Sequence, residues 1–263
     1  MPSSSIEFLL NDELVTINDL NTNTTVLEYL RNYKNLKGTK EGCASGDCGA
    51  CTAVIAELKN NKLKYKSINT CITLLYSLHS KQLLTVEYIE SKYLHPVQQS
   101  MVDNDGAQCG FCTPGFIMSM YAMHKNKISP TDSNINRYLS GNLCRCTGYR
   151  PIKEALKNLK KYKDLESDTS KVFKKLKKIK LSDVVLTRDG SKFYIHQNLK
   201  NFKKDFIKSK SPSLLVGGTD ISLDITKKRK NLNEIFYLGQ NKDLTYVRVK
   251  NNNLHIGAAT PIN

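Results

Sequence analysis

Cys109-Gly-Phe-Cys112-Thr-Pro-Gly115 and Gly141-Asn-Leu-Cys144-Arg-Cys146-Thr-Gly-Tyr-Arg-Pro151 bound the stretch on which the reading of this chain turns. A C-x2-C pair and a C-x-C pair are separated by residues 113–143, which read as helix, turn, helix. Four thiols gathered from helix ends can bind a metal centre as thiolates. The first helix has a start signal: Thr113 as cap, Pro114 at the first helical position, then Phe116, Ile117, Met118, Met120 and Tyr121 as an apolar face. The positive end of that helix dipole would point toward Cys112, where an anionic centre would sit. Zinc remains an alternative on this stretch alone, because C-x2-C is also a zinc half-site.

Outward toward the N-terminus lies Glu41-Gly-Cys43-Ala-Ser-Gly-Asp-Cys48-Gly-Ala-Cys51-Thr52, with Cys71 further on. C-x4-C-x2-C…C is the plant-type [2Fe–2S] spacing. Four thiolates around two ferric ions and two sulfides leave a charge of about −2, which backbone N–H donors in a tight loop must meet. Gly42, Gly46 and Gly49 permit that close approach. The spacing points away from a four-cysteine zinc site, which more often shows two C-x2-C halves. Disulfides do not fit a chain read as cytoplasmic, where thiols stay reduced.

Residues 6–10 and 14–17 read as a hairpin about Asn11-Asp12, and Thr25-x-x-Glu28 as a capping box opening a helix that ends before Gly38. With strands expected near 53–58 and 85–88, this is the order of a β-grasp domain. Residues 91–165 read as four helices: one from Pro96, Thr113–Lys125, one from Pro130 to about Ser140, and one from Pro151 with Ile152, Ala155, Leu156, Leu159 and Tyr162 on one face. Met118, Met120 and Met123 are read as core packing. Residues 166–180 form a lysine-rich connection with a short helix. Beyond it, residues 193–195 and a buried 213–216 are strands, 199–207 a helix, and 235–238 and 254–257 further strands. Gly217-Gly218-Thr219-Asp220 between strand and helix is a candidate phosphate cradle. The chain closes at Asn263 without a terminating element, which reads as a truncated third domain.

Composition sets bounds. The 263 residues suffice for several domains, and no run of about 20 apolar residues spans a membrane. The start lacks the basic-then-apolar pattern of a signal peptide, hence the cytoplasmic expectation. A net charge of +16 invites a nucleic-acid reading. However, Lys far outnumbers Arg and is spread over helix faces, whereas base and phosphate readers lean on Arg with interleaved aromatics. Solvated helix faces explain the charge, and no nucleic acid is expected.

Taken together, Gln108-Cys-Gly-Phe-Cys-Thr-Pro-Gly115, Asn142-Leu-Cys-Arg-Cys-Thr-Gly-Tyr-Arg-Pro151 and the Cys43–Cys71 set resemble the two [2Fe–2S] domains of the xanthine dehydrogenase and aldehyde oxidase family of molybdenum hydroxylases. Leu214-Leu-Val-Gly-Gly-Thr-Asp-Ile221 resembles the first FAD-contacting loop of that family. The domain order is similar to the small subunit of its bacterial xanthine dehydrogenases. The resemblance implies an α+β multidomain chain: a ferredoxin-like β-grasp domain (1–88), a four-helix [2Fe–2S] domain (89–165), a linker (166–190) and the N-terminal part of an FAD-binding domain (191–263). It implies two [2Fe–2S] clusters, one on Cys43, Cys48, Cys51 and Cys71 and one on Cys109, Cys112, Cys144 and Cys146. FAD would lie on Leu214, Leu215, Val216, Gly217, Gly218, Thr219, Asp220 and Ile221, with the rest of its pocket outside this chain. Gln108 would contact the molybdopterin of a large partner subunit in a hetero-oligomer. Electrons from hydroxylation of a purine would pass through both clusters to FAD and NAD+, and no residue here would be catalytic. The alternatives are an aldehyde-oxidising relative and a non-catalytic iron–sulfur carrier.

Overall fold

A computed structural model of the chain describes residues 2–90, 93–163 and 169–261. β1 (Ile6–Leu10) and β2 (Glu13–Ile17) form the expected hairpin, turned at Asn11 with φ +57°. Thr25 caps α1 (Val26–Glu28) by accepting from the Glu28 N–H at 3.1 Å. The helix then widens into a π-turn over Tyr29–Tyr33, closed by Lys34 N–H to the Tyr29 carbonyl. β3 (Thr52–Lys59), β4 (Lys62–Asn69) and β5 (Gln82–Leu84) complete a mixed sheet of order β2-β1-β5-β3-β4, in which β1 and β5 are parallel. Phe8, Tyr29, Leu30, Leu75 and Tyr76 fill the core beneath it.

Two strand positions differ from the sequence reading. The last strand lies at Gln82–Leu84, and 85–88 is a turn. The Thr85 N–H leaves the ladder to reach Asn11 Oδ1 at 3.1 Å, and the Tyr88 N–H closes the turn on the Thr85 carbonyl. Leu83 and Leu84 are both buried, so β5 shows no alternation to betray it. β4 was not anticipated. Its signal is the Asn60-Asn61 turn, with φ +52° and +55°, followed by lysines at every second position. Lysines on an edge strand discourage pairing with another chain.

The helical unit comprises α2 (Pro96–Asp103), α3 (Thr113–Lys125), α4 (Asp132–Leu139) and α5 (Arg150–Asn158). Met118, Met120 and Met123 are core residues, packed with Phe116, Ile135 and Leu156. α3 lies against β3 and β4, so the two halves share an interface along that helix. One expected detail is corrected. Cys112, not Thr113, occupies the N-cap of α3; Thr113 is the first helical residue, and its hydroxyl is buried without a hydrogen bond. Two residues before this cap the chain turns at Gly110, with φ +82°.

Residues 166–168 of the expected linker (166–190) lie outside the described residues, and residues 169–190 hold a helix and a strand. α6 (Thr169–Lys178) sets Val172 and Leu176 against Leu9 of β1, and β6 (Val184–Arg188) enters a second sheet. That sheet, of order β6-β7-β9-β8, adds β7 (Ser191–Ile195), β8 (Pro212–Leu215) and β9 (Glu234–Tyr237), with α7 (Leu199–Phe206) and α8 (Ile221–Thr226) between them. β10 (Val247–Lys250) and β11 (Asn253–Ile256) form a separate hairpin. The two larger sheets share one core, in which the Tyr76 and Phe193 rings meet at 5.5 Å. The strand expected to be buried at 213–216 is an edge strand. β8 pairs only with β9, so Leu215 is covered while Leu214 and Val216 face solvent. Among the described residues, no helix is long and apolar enough to cross a membrane.

Candidate functional site: two facing cysteine constellations

The loop from Gly42 to Cys51 wraps its backbone around sulfur. Cys43 Sγ accepts from the N–H groups of Ser45 (3.4 Å), Asp47 (3.3 Å) and Cys48 (3.3 Å). Burial alone would raise the Cys43 thiol; the Ser45, Cys48 and Asp47 donors outweigh it and bring it down to about 6. Cys51 and Cys71 are both buried, with sulfurs 3.3 Å apart. Sharing a proton with Cys71 brings Cys51 down to about 7 and pushes Cys71 up, so the pair releases one proton easily and holds the second. A Cβ on Gly42 would stand 2.7 Å from Cys48 Sγ, so only glycine leaves this sulfur room.

The second set is assembled at the start of α3 and the loop before α5. Cys109 and Cys146 are exposed, with sulfurs 3.5 Å apart. Cys112 and Cys144 lie deeper and pack on the helical core. Cys144 Sγ accepts from the Thr147 hydroxyl (3.2 Å) and N–H (3.4 Å). Burial works against ionising Cys144, but the Thr147 donors bring it down to about 7. Burial, followed by the Cys144 sulfur, pushes Cys112 up to about 12. Tyr149 turns this loop in the left-handed region, φ +69°, and its hydroxyl accepts from the Cys144 N–H at 3.0 Å.

The two loops touch. The Leu143 N–H donates to the Cys48 carbonyl at 2.9 Å. Gly49, at φ +69°, lies so close that a Cβ there would overlap the Gly141 carbonyl oxygen, and a Cβ on Gly115 would overlap the Gly49 carbonyl. The eight sequence-predicted cysteines thus lie on neighbouring loops joined through backbone, with Cys51 paired to Cys71 and Cys109 to Cys146; among the described residues, no three or more His, Cys, Asp or Glu side chains are already gathered as a metal site. Sulfurs paired within 3.5 Å at Cys51–Cys71 and Cys109–Cys146, with N–H donors on Cys43 and Cys144 beside them, are the kind of donor set an anionic metal–thiolate centre uses.

Gln108 is exposed beside Cys109, on the open side of the second set. The loop 214–221 lies at the other end, against the first set. Gly218, at φ +74°, abuts Ile72, the neighbour of Cys71: a Cβ there would be 3.0 Å from the Ile72 carbonyl oxygen and 2.8 Å from Ser222 Oγ. Leu223 of α8 packs on Cys51, Cys71 and Ile72. Lys227, which sequence reasoning did not single out, donates from Nζ to the Cys43 carbonyl. Nothing local marks one lysine among so many; only the docking of α8 selects it. A cleft of about 620 Å³ opens here between Glu28, Arg31, Cys43, Cys71, Lys227 and Arg229.

Comparison with known proteins agrees with this geometry. The family described as "2Fe-2S iron-sulfur cluster binding domain" matches residues 8–76, and the "[2Fe-2S] binding domain" family matches residues 85–157. The chain is 46% identical to the xanthine dehydrogenase/oxidase of Mus musculus over 157 residues, 59% of this chain and 12% of that protein. It is 43% identical to a probable aldehyde oxidase of Caenorhabditis elegans over 159 residues, 59% of this chain and 13% of the relative. Among solved structures, the aldehyde oxidoreductase from Desulfovibrio gigas matches with a TM-score of 0.52 and 29% identity, covering 59% of this chain and 16% of the other. The chain therefore carries two [2Fe–2S]-binding domains, and across them it is similar to the iron–sulfur part of the molybdenum hydroxylases, the family of xanthine dehydrogenase and aldehyde oxidase. The chain spans about an eighth of the length of these curated relatives.

Proposed function

We propose that this chain carries electrons within a molybdenum hydroxylase of the xanthine dehydrogenase type, which oxidises hypoxanthine and xanthine to urate in the cytoplasm. The observation that carries this reading is the direct backbone contact between the two cysteine sets, Cys48 carbonyl to Leu143 N–H at 2.9 Å. Cys43, Cys48, Cys51 and Cys71 would hold one [2Fe–2S] cluster; Cys109, Cys112, Cys144 and Cys146 would hold the other. When bound, such clusters exchange single electrons, which a flavin can gather in pairs for NAD+.

The chain's own residues do the rest. The Ser45, Asp47 and Cys48 amides and the Thr147 hydroxyl stabilise negative charge on sulfur. Exposed Cys109 and Cys146, with Gln108 beside them, would face a molybdopterin-binding subunit, since a donor must approach where sulfur is open. The loop Leu214, Leu215, Val216, Gly217, Gly218, Thr219, Asp220 and Ile221 would contact FAD. Two features favour this: Gly217 has open space around it, and Gly218 rests on Ile72 beside the first set. Gly218→Val forces a branched side chain into a left-handed conformation against the Ile72 carbonyl, a strain of about 1–3 kcal/mol. The expected outcome is loss of bound flavin from the intact enzyme with both iron–sulfur signals retained, read by flavin fluorescence and absorbance.

An aldehyde-oxidising enzyme is the second reading, favoured by the probable aldehyde oxidase of Caenorhabditis elegans and the Desulfovibrio structure. Anaerobic addition of xanthine or of an aldehyde to the enzyme purified with its partners separates the two. Bleaching of the iron–sulfur absorbance by xanthine supports the purine reading, and bleaching by aldehyde alone replaces it. Bleaching by neither leaves an iron–sulfur carrier.

A further inference from the structure

The contact between the cysteine loops is organised by one buried amide. Asn142 is 4% exposed and stands between Gly141, which crowds Gly49, and Leu143, whose N–H meets the Cys48 carbonyl. Its Nδ2 donates to the Gly49 carbonyl at 3.0 Å and to Thr52 Oγ1 at 3.2 Å. Its Oδ1 accepts from Ser119 Oγ of α3 at 2.6 Å. The Thr52 hydroxyl donates in turn to the Gly49 carbonyl at 2.7 Å. One side chain thus ties together the end of the first cysteine loop, the start of β3, the helix capped by Cys112, and the stretch of chain leading into Cys144. Both halves of the amide are used, as burial of a polar group demands.

We propose that Asn142 is the positioning residue for electron passage between the two clusters. It holds the Leu143 N–H on the Cys48 carbonyl, so that the Cys48 and Cys144 sulfurs are connected by covalent bonds and a single hydrogen bond. With both clusters bound, this arrangement would serve the passage of one electron from the Cys144 side, which would be oxidised, to the Cys48 side, which would be reduced. No bond is made or broken, and no proton moves. Hydrophobic packing along α3 already joins the domains, so the amide's role is in the spacing of the loops rather than in their association. The inference rests on both sets holding [2Fe–2S] clusters.

The test uses the full chain with both clusters loaded, reduced by dithionite. The electron paramagnetic resonance splitting from spin–spin coupling between the reduced clusters reports their spacing, and rapid-freeze sampling after partial reduction reports the rate at which the electron distributes between them. In Asn142→Ala, iron and sulfide content and the individual g-values are expected to persist, with the splitting altered and redistribution slowed about tenfold. Unchanged splitting and rate with both clusters present overturn the proposal. If Asn142→Ala loses a cluster, Ser119→Ala and Thr52→Val each remove one partner of the amide and decide instead: altered coupling in either supports the proposal, and wild-type coupling in both overturns it. Wild-type protein without two clusters would refute the functional reading itself, an outcome distinct from these.

Discussion

Cys112→Ser is expected to remove one iron–sulfur signal completely and about half of the iron and sulfide, leaving the plant-type signal unchanged. A serine hydroxyl does not ionise in the range where thiolates form, so it is a poor substitute ligand. Cys112 sits at the N-cap of α3, where the helix dipole favours negative charge, and it packs against the helical core with Cys144. Its loss therefore strikes the second set alone, because the hydrogen bonds that shape the first set come from its own loop, at Ser45, Asp47 and Cys48. Electron paramagnetic resonance of the reduced variant checks this. Loss of both signals together, or of neither, would show that the eight cysteines do not divide as proposed.

Gly49→Ala has the second largest expected effect, and it acts on both sets at once. The residue has φ +69°, and an added Cβ would overlap the Gly141 carbonyl and crowd Asn142. Both neighbours belong to the second cysteine loop and cannot swing away as a flexible side chain could. Strain from the left-handed backbone and overpacking together should cost about 3 kcal/mol or more. Urea unfolding is expected to show that loss, and reconstitution should fall at both sets. Gly141→Ala is the control, since a Cβ there meets nothing within 4 Å. Equal stability of the Gly49 variant and wild type would contradict the close apposition of the loops.

The placing of Cys43, Cys48 and Cys51 on one tight loop was legible in the sequence because spacing within a loop fixes what the loop can surround. C-x4-C-x2-C leaves too little chain between sulfurs for them to point anywhere but inward. The helices of the second domain were legible for a related reason: Pro96, Thr131 and Arg150-Pro151 mark starts that local chemistry settles. What escaped depends on contacts distant in sequence. β5 ends at Leu84 because Asn11, at the end of the neighbouring strand β1 and 74 residues earlier in sequence, takes the Thr85 N–H. The 213–216 strand is apolar, yet it lies at a sheet edge, a fact set by strand order and not by composition. Likewise, nothing within Asn142-Leu-Cys predicts that its amide reaches Gly49 and Thr52. Lys227 on the Cys43 carbonyl is a product of how α8 docks.

The central claim is that both cysteine sets hold [2Fe–2S] clusters. The most direct test is iron, acid-labile sulfide and zinc content of the anaerobically purified protein. The account predicts iron and sulfide in equal amounts, roughly four of each per chain, with no zinc. Zinc bound without sulfide would contradict it and leave a structural metal protein in its place.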